Sequence, residues 1–293
     1  MAVTAATVKE LRERTGAGMM ECKRALDATA GDIERAIEEL RKSGGAKADK
    51  KAGRITAEGI VVVRTSADGH KALMLEVNSE TDFVARDENF LQFVSSVADT
   101  ALAAGSEDMA ALARLPLVGQ SITVEEARLA LIGKVGENIH LRRAAFVSAN
   151  TPIGVYLHGR RIGVLVMLDG DHPDLAKDLA MHIAASKPLV ISPDEVSADL
   201  IEKEKEIYLA QAAGSGKPQD IIEKMVQGRL KKFLAEVSLV GQPFVKDPDV
   251  VISDLLSKHR VKALSFSRFE VGEGIEKETE NFVDAVMSQV QGK

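Results

Sequence analysis

Lysine beside glycine, histidine beside acid, and an aromatic ring set among carboxylates are the places where this chain could do chemistry. The segment GSGKP, residues 214–218, contains the Gly-Lys pair of a phosphate-binding loop. Such a loop needs a glycine five residues before the second one and a Ser or Thr after the lysine to hold magnesium; Gln211 and Pro218 stand there instead, so that chemistry is excluded. The six histidines, His70, His140, His158, His172, His182 and His259, never pair at helical ligand spacing. No His-Glu-x-x-His, Gly-x-Ser-x-Gly or Cys-x-x-Cys occurs, which removes the commonest metal, nucleophile and redox constellations. Asp87 and Glu88 sit where a helix N-terminus favours negative charge, so they need no catalytic role. What is left is SETDFVARDENF, residues 79–90, which sets Phe83 directly beside Asp82 in a chain with nine phenylalanines and no tryptophan. Either Phe83 staples its own loop and Asp82 caps a helix, or the ring is held out for another molecule.

Composition bounds the partners. With 293 residues, 45% hydrophobic and 28% charged, the chain is long enough to bury a substantial core and to divide into two or more domains. No run of about 18 apolar residues and no basic-then-apolar leader is visible, so a soluble, cytoplasmic protein without a membrane partner is expected. One cysteine, Cys22, excludes an internal disulfide and a cysteine-based metal cluster. A net charge of −6 argues against nucleic acid as the main partner. The one basic cluster, AKADKKAGR with Lys47, Lys50, Lys51 and Arg54, reads as a solvated linker, and no direct nucleic-acid contact is expected.

The elements that must position these residues follow from periodicity. Residues 1–43 predict three short helices: one with Thr7 and Glu10 as a capping box and Val8 and Leu11 inward, a second over Met19 to Ala30, and a third capped by Asp32 with Ile33, Ala36, Ile37 and Leu40 inward. GGAKADKKAGR is read as a tether, giving an N-terminal unit of 1–54. GIVVVRTSADGHKALMLEV predicts two strands joined by a turn at Asp68-Gly69, then a helix with Phe90, Phe93, Val94 and Val97 inward, a helix around EEARLALIGKVG and a strand HLRRAAFVSA, a unit of 55–150. The plan recurs weakly over 151–193 with 238–270, where GVYLHGRRIGVLVML precedes the helix DLAKDLAMHIAAS. Residues 194–237 interrupt it with two amphipathic helices turning at GSGKP, with Ile221, Ile222, Met225, Val226, Leu230 and Phe233 on one side of the second. A helix with Ile275, Phe282, Val283 and Val286 on one face closes the chain over 271–293. The expected class is α+β, a duplicated core with antiparallel sheets carrying an N-terminal bundle, an inserted hairpin and a C-terminal helix.

LRERTGAGMMECKRAL, residues 11–26, and EVNSETDFVARDENF, residues 76–90, resemble bacterial elongation factor Ts, and KVGENIHLRR, MHIAASKP, EKMVQGRLKKF and FEVGEGIEKE extend the resemblance along essentially the whole chain. It implies a guanine nucleotide exchange factor that binds elongation factor Tu and promotes GDP release, with no active site and no cofactor of its own. It further implies a ubiquitin-associated-like bundle that docks on the GTPase through Lys9, Arg12, Met19, Met20 and Lys23. The family's Thr-Asp-Phe-Val segment falls on Thr81, Asp82, Phe83 and Val84, and by resemblance dislodges the GTPase's magnesium. Val135 and Gly136 fall on a contact near the phosphate loop, His158 on a contact with the third domain of the GTPase, and the hairpin on a dimerisation element. From the residues alone, Met19 and Met20 are open to core or contact roles.

Overall fold

In the computed structural model, residues 3–213 and 218–276 are described. The GSGKP turn, but for Pro218, and most of the expected C-terminal helix lie outside them.

The bundle consists of α1 (Ala5–Thr15), α2 (Met19–Ala28) and α3 (Ile33–Lys51). The capping box of α1 is Thr4 with Thr7, three residues earlier than the expected Thr7 and Glu10, and Gly16 ends the helix in the left-handed conformation. Asp32 caps α3 as expected, accepting from the Arg35 amide at 3.1 Å. Leu11, Cys22, Leu26 and Ala36 are fully buried at the centre. The tether expected after residue 43 is instead the second half of α3, which continues through Gly44 and Gly45 to Lys51. Glycine weakens isolated helices, but here the helix runs through both glycines, and a Cβ on Gly44 would make only ordinary contact, 3.7 Å from the Leu129 carbonyl. An Arg41–Glu126 ion pair and the buried Ala48 hold this half of the helix on the core.

The core is built from β1 (Glu58–Thr65), β2 (Lys71–Ser79), α4 (Asp82–Ala85), α5 (Glu88–Ala104), α6 (Met109–Arg114), α7 (Val124–Val135) and β3 (Ile139–Ser148). It continues with β4 (Gly154–His158), β5 (Ile162–Leu168), α8 (Pro173–Ser186), α9 (Ala198–Ala213) and α10 (Gln219–Val237), then β6 (Pro243–Phe244), β7 (Asp247–Val251), α11 (Ile252–His259) and β8 (Ala263–Glu270). The two larger sheets are antiparallel, ordered β1-β2-β3 and β4-β5-β8, so each places a hairpin first and returns a later strand beside the hairpin's second. The short β6-β7 pair and α11 were not expected from the sequence.

Alternation along the strands explains the layering, because successive side chains point to opposite faces. Ile60, Leu73 and Leu75 pack with Phe90, Val94 and Ile132 of α5 and α7, whereas Val61 and Met74 point the other way, to Leu165. Val164, Val166 and Leu168 pack on Leu179 and Ile183 of α8. The sheets thus lie face to face between two helical layers. Gly163 lets them approach closely, since a Cβ there would come 2.6 Å from Val61 Cγ1 and 2.7 Å from Met74 Sδ. The α9–α10 hairpin packs on itself through Ala212, Ile222 and Val226, while Ile221 is exposed. No helix among the described residues is long and apolar enough to cross a membrane.

Candidate functional site

The motif SETDFVARDENF is two helix caps in succession. Thr81 ends the extended chain, and its Oγ1 accepts from the Val84 amide at 3.3 Å to start the single turn α4. Asp87 then caps α5, accepting at Oδ1 from the amides of Asn89 and Phe90 at 2.9 and 3.3 Å. The Asn89 side chain also donates to Asp87, and these bonds hold its carboxyl below the usual range against the opposing effect of burial. Polar residues crowd this stretch because helix starts need acceptors for free amides.

The turn has two faces. Ala85 is buried and Val84 packs against the same core that encloses Phe90. Phe83 points outward and is 80% exposed. It does not staple its own loop, and the cap is Thr81 rather than Asp82. Asp82 accepts from Arg86 at 2.7 Å, four residues on, in an exposed pair that adds little stability. Leaving a phenylalanine ring in water forgoes roughly 1.5–3 kcal/mol of burial.

Val135 and Gly136 end α7. Val135 is partly buried against the core, and Gly136 adopts a φ of 81°, which closes the helix with its amide on the Ile132 carbonyl. Lys51, from the end of α3, donates to the Gly136 carbonyl at 2.5 Å. Two side-chain carboxylates join this turn to α4. Glu137 accepts from the Thr81 amide at 3.0 Å and from the Thr81 hydroxyl at 2.6 Å. Glu80 accepts from the Asn138 amide at 2.6 Å and lies 3.4 Å from Arg54. The Asn138 side chain reaches the Arg54 carbonyl at 3.2 Å.

Met19 and Met20 occupy the first turn of α2, 60% and 64% exposed, while Cys22, Ala25 and Leu26 anchor the helix. Neither methionine belongs to the bundle core. Lys9, Arg12 and Lys23 are exposed on the same bundle, Lys9 within 3.8 Å of Glu13. Lys134 connects the bundle to the core, donating to Asn89 at 2.6 Å and lying 3.2 Å from where a Cβ on Gly16 would be. His158 is set apart at the end of β4, exposed, with its Nδ1 3.3 Å from the Tyr156 hydroxyl. Its hairpin meets the first sheet at Glu58, through Arg161 at 2.8 Å, and not at α4.

The structure therefore brings Thr81–Val84 and Val135–Gly136 into one unit and leaves His158 on another sheet. Sequence reasoning passed over Glu80, Lys134 and Glu137. The only signal for them was their place beside residues already singled out, Glu137 directly after Gly136 and Glu80 directly before Thr81.

A sequence profile for the family described as Elongation factor TS matches residues 80–273, most of the chain, taking in α4 and the Gly136 turn but not β1 and β2. The chain belongs to the elongation factor Ts family. It is 57% identical over 289 residues to elongation factor Ts of Legionella pneumophila, covering 99% of both chains. It is 58% identical over 294 residues to elongation factor Ts of Thioalkalivibrio sulfidiphilus, covering 100% of both, and 56% identical over 291 residues to that of Coxiella burnetii, covering 99% and 98%. Similarity to elongation factor Ts thus includes the bundle, which lies outside the profile match.

Proposed function

We propose that the chain is a guanine nucleotide exchange factor of translation, acting in the cytoplasm on elongation factor Tu with GDP bound. Its role is to displace the magnesium ion and release GDP so that GTP can bind. The observation that carries this reading is Phe83, an aromatic ring 80% exposed on a turn whose other face is built into the core. Membership of the elongation factor Ts family supplies the partner.

In this mechanism Phe83 enters the GTPase beside its magnesium site, with Thr81, Asp82 and Val84 forming the rest of the intruding turn. Magnesium bridges protein and nucleotide oxygens, so moving the groups that position it removes much of the electrostatic hold on GDP. Val135 and Gly136 act near the phosphate loop. Lys9, Arg12, Met19, Met20 and Lys23 dock the bundle, the methionines supplying adaptable apolar contact. His158 engages a separate domain of the GTPase, in keeping with its separate sheet. The chain performs no covalent step of its own. Coupling is reciprocal, so the factor by which it weakens GDP binding is the factor by which GDP weakens its own, and the ternary complex is transient.

The functional division we propose is 1–54 for docking, 55–150 for the exchange turn, 151–193 with 238–270 for the second contact, 194–237 for self-association and 271–293 as a C-terminal module. Ile207 and Ile221 on the hairpin are both 39% exposed, apolar surface suited to a second copy. Sedimentation of the full chain should then show a concentration-dependent dimer that Ile207→Lys with Ile221→Lys abolishes; a monomer at all concentrations refutes that part. The exchange reading is tested by mixing the protein with elongation factor Tu loaded with fluorescent GDP. Release accelerated by catalytic amounts of the protein is expected, and an unaltered rate refutes it.

A further inference from the structure

Two loops hold each other by a crossed pair of carboxylates. Glu80 accepts the backbone amide of Asn138 at 2.6 Å, and Glu137 accepts the backbone amide of Thr81 at 3.0 Å. Each acid thus reaches across to the residue that follows the other acid. Carboxylate acceptors make shorter and stronger hydrogen bonds to backbone amides than neutral acceptors do.

The second bond made by Glu137 is the informative one. The Thr81 hydroxyl donates to Glu137 at 2.6 Å, which spends its only proton, and the same oxygen accepts from the Val84 amide at 3.3 Å. Glu137 therefore orients the hydroxyl that caps α4. A four-residue turn cannot hold itself, because helix nucleation costs more than one turn's bonds return. Its geometry must be imposed from outside. Other fixings are the Ser79 hydroxyl on the Thr81 carbonyl at 2.9 Å, the buried Ala85 and Val84 packed on the core. Phe83 itself, on the outer face, contributes little to its own placement.

We infer that Glu137 is a positioning residue for exchange: with Glu80 it clasps the Phe83 turn to the Gly136 turn, so that both meet the GTPase as one rigid unit. This rests on the exchange reading above. The clasp extends to the bundle, since Glu80 also faces Arg54 and Lys51 holds Gly136. Preorganisation of this kind matters because a misplacement of about 1 Å at a reacting centre costs on the order of a hundredfold in rate.

The test is a double-mutant cycle of Glu137→Ala with Phe83→Ala, read as the saturating rate of fluorescent GDP release from elongation factor Tu. Glu137→Ala alone should lower that plateau by about ten- to a hundredfold. In the Phe83→Ala background it should change the plateau less than about twofold, because residues acting as one unit are not additive. Glu137→Gln, which retains one acceptor for the Thr81 amide, should recover most of the rate. Amide hydrogen exchange at Thr81 and Val84 should quicken in Glu137→Ala, with protection in α5 and β2 unchanged. A wild-type plateau in Glu137→Ala, or losses that multiply in the double variant, overturns the inference. If Glu137→Ala lowers protection throughout the core, Thr81→Val, which removes the hydroxyl that Glu137 orients, carries the cycle, and full additivity with Phe83→Ala overturns the inference equally. A wild-type protein that fails to release GDP sinks the exchange reading instead, and hydrogen exchange at Thr81 still reports on the clasp.

Discussion

Truncating Phe83 to alanine separates what a side chain does for its own fold from what it does for a partner. The ring is 80% exposed, so the free protein loses almost no packing, and its stability should change by no more than about 0.5 kcal/mol. A phenylalanine offers on the order of 150 Å² of apolar surface, and the exposed fraction leaves roughly 120 Å² to be buried on docking. At about 25 cal/mol per Å² that is ~3 kcal/mol. An anchor of this size lies within the range of buried aromatic hot spots, about 2–4 kcal/mol. If that energy is used to open the nucleotide site, Phe83→Ala should slow saturated GDP release about a hundredfold, with the thermal midpoint displaced by less than about 2 °C. Stopped-flow release of fluorescent GDP against increasing concentrations of the variant measures the plateau, and circular dichroism measures the midpoint. An unchanged plateau refutes the entry of Phe83 beside the magnesium site. A midpoint lowered by 10 °C or so returns the ring to the core and refutes the reading of its exposure. Phe90→Ala, seven residues on and fully buried, is the control; it should cost about 3–5 kcal/mol of stability.

Two further outcomes concern buried charge. His182 is fully buried, with Nδ1 accepting from the Val245 amide at 3.2 Å and Nε2 donating to Gln242 at 2.9 Å. Burial lowers its pKa from the ordinary 6.5, and the Gln242 bond only partly opposes this, so the folded chain keeps it neutral while the unfolded chain takes up a proton. Its contribution is complete above about pH 6.5 and is lost below it at up to ~1.4 kcal/mol per pH unit; urea midpoints between pH 5 and 8 should show this slope, and His182→Gln should flatten it. Glu76 is fully buried between Arg142 and Arg143, at 2.8 and 2.6 Å, and also accepts the Gly272 amide at 2.9 Å. Burial pushes its pKa up, but the Gly272 amide and the two arginines outweigh this and hold it below 4.5. That stability is present above pH 4.5 and lost as pH falls through the lowered value. Glu76→Gln should cost about 3–5 kcal/mol at pH 7, as removing one side of a buried pair does; a urea midpoint equal to the wild type would show that the pair carries no net stability.

Local pattern was enough for the strands β1 to β5, the turn at Asp68-Gly69, the inward Phe90 and the Asp32 cap, because each rests on residues close together in the chain. It misread residues 44–51, since glycines weaken a lone helix, whereas α3 is carried through them by its docking on the core through the Arg41–Glu126 pair and the buried Ala48. It left Phe83, Met19 and Met20 undecided, because burial belongs to the assembled layers and not to the spacing of one segment.

The sequence by itself determined the class, the family and the segment SETDFVARDENF, since those depend on residue types and their order. Only the tertiary structure decided which way the segment faces. Ala85 and Phe90 have a core to enter; Phe83, on the opposite face of the same turn, has none among the described residues. Glu80 and Glu137, separated by more than fifty residues, acquired a role only when folding crossed their carboxylates over each other's loops. A hydrogen bond needs two groups within about 3 Å, and chain order alone does not specify which distant groups will meet.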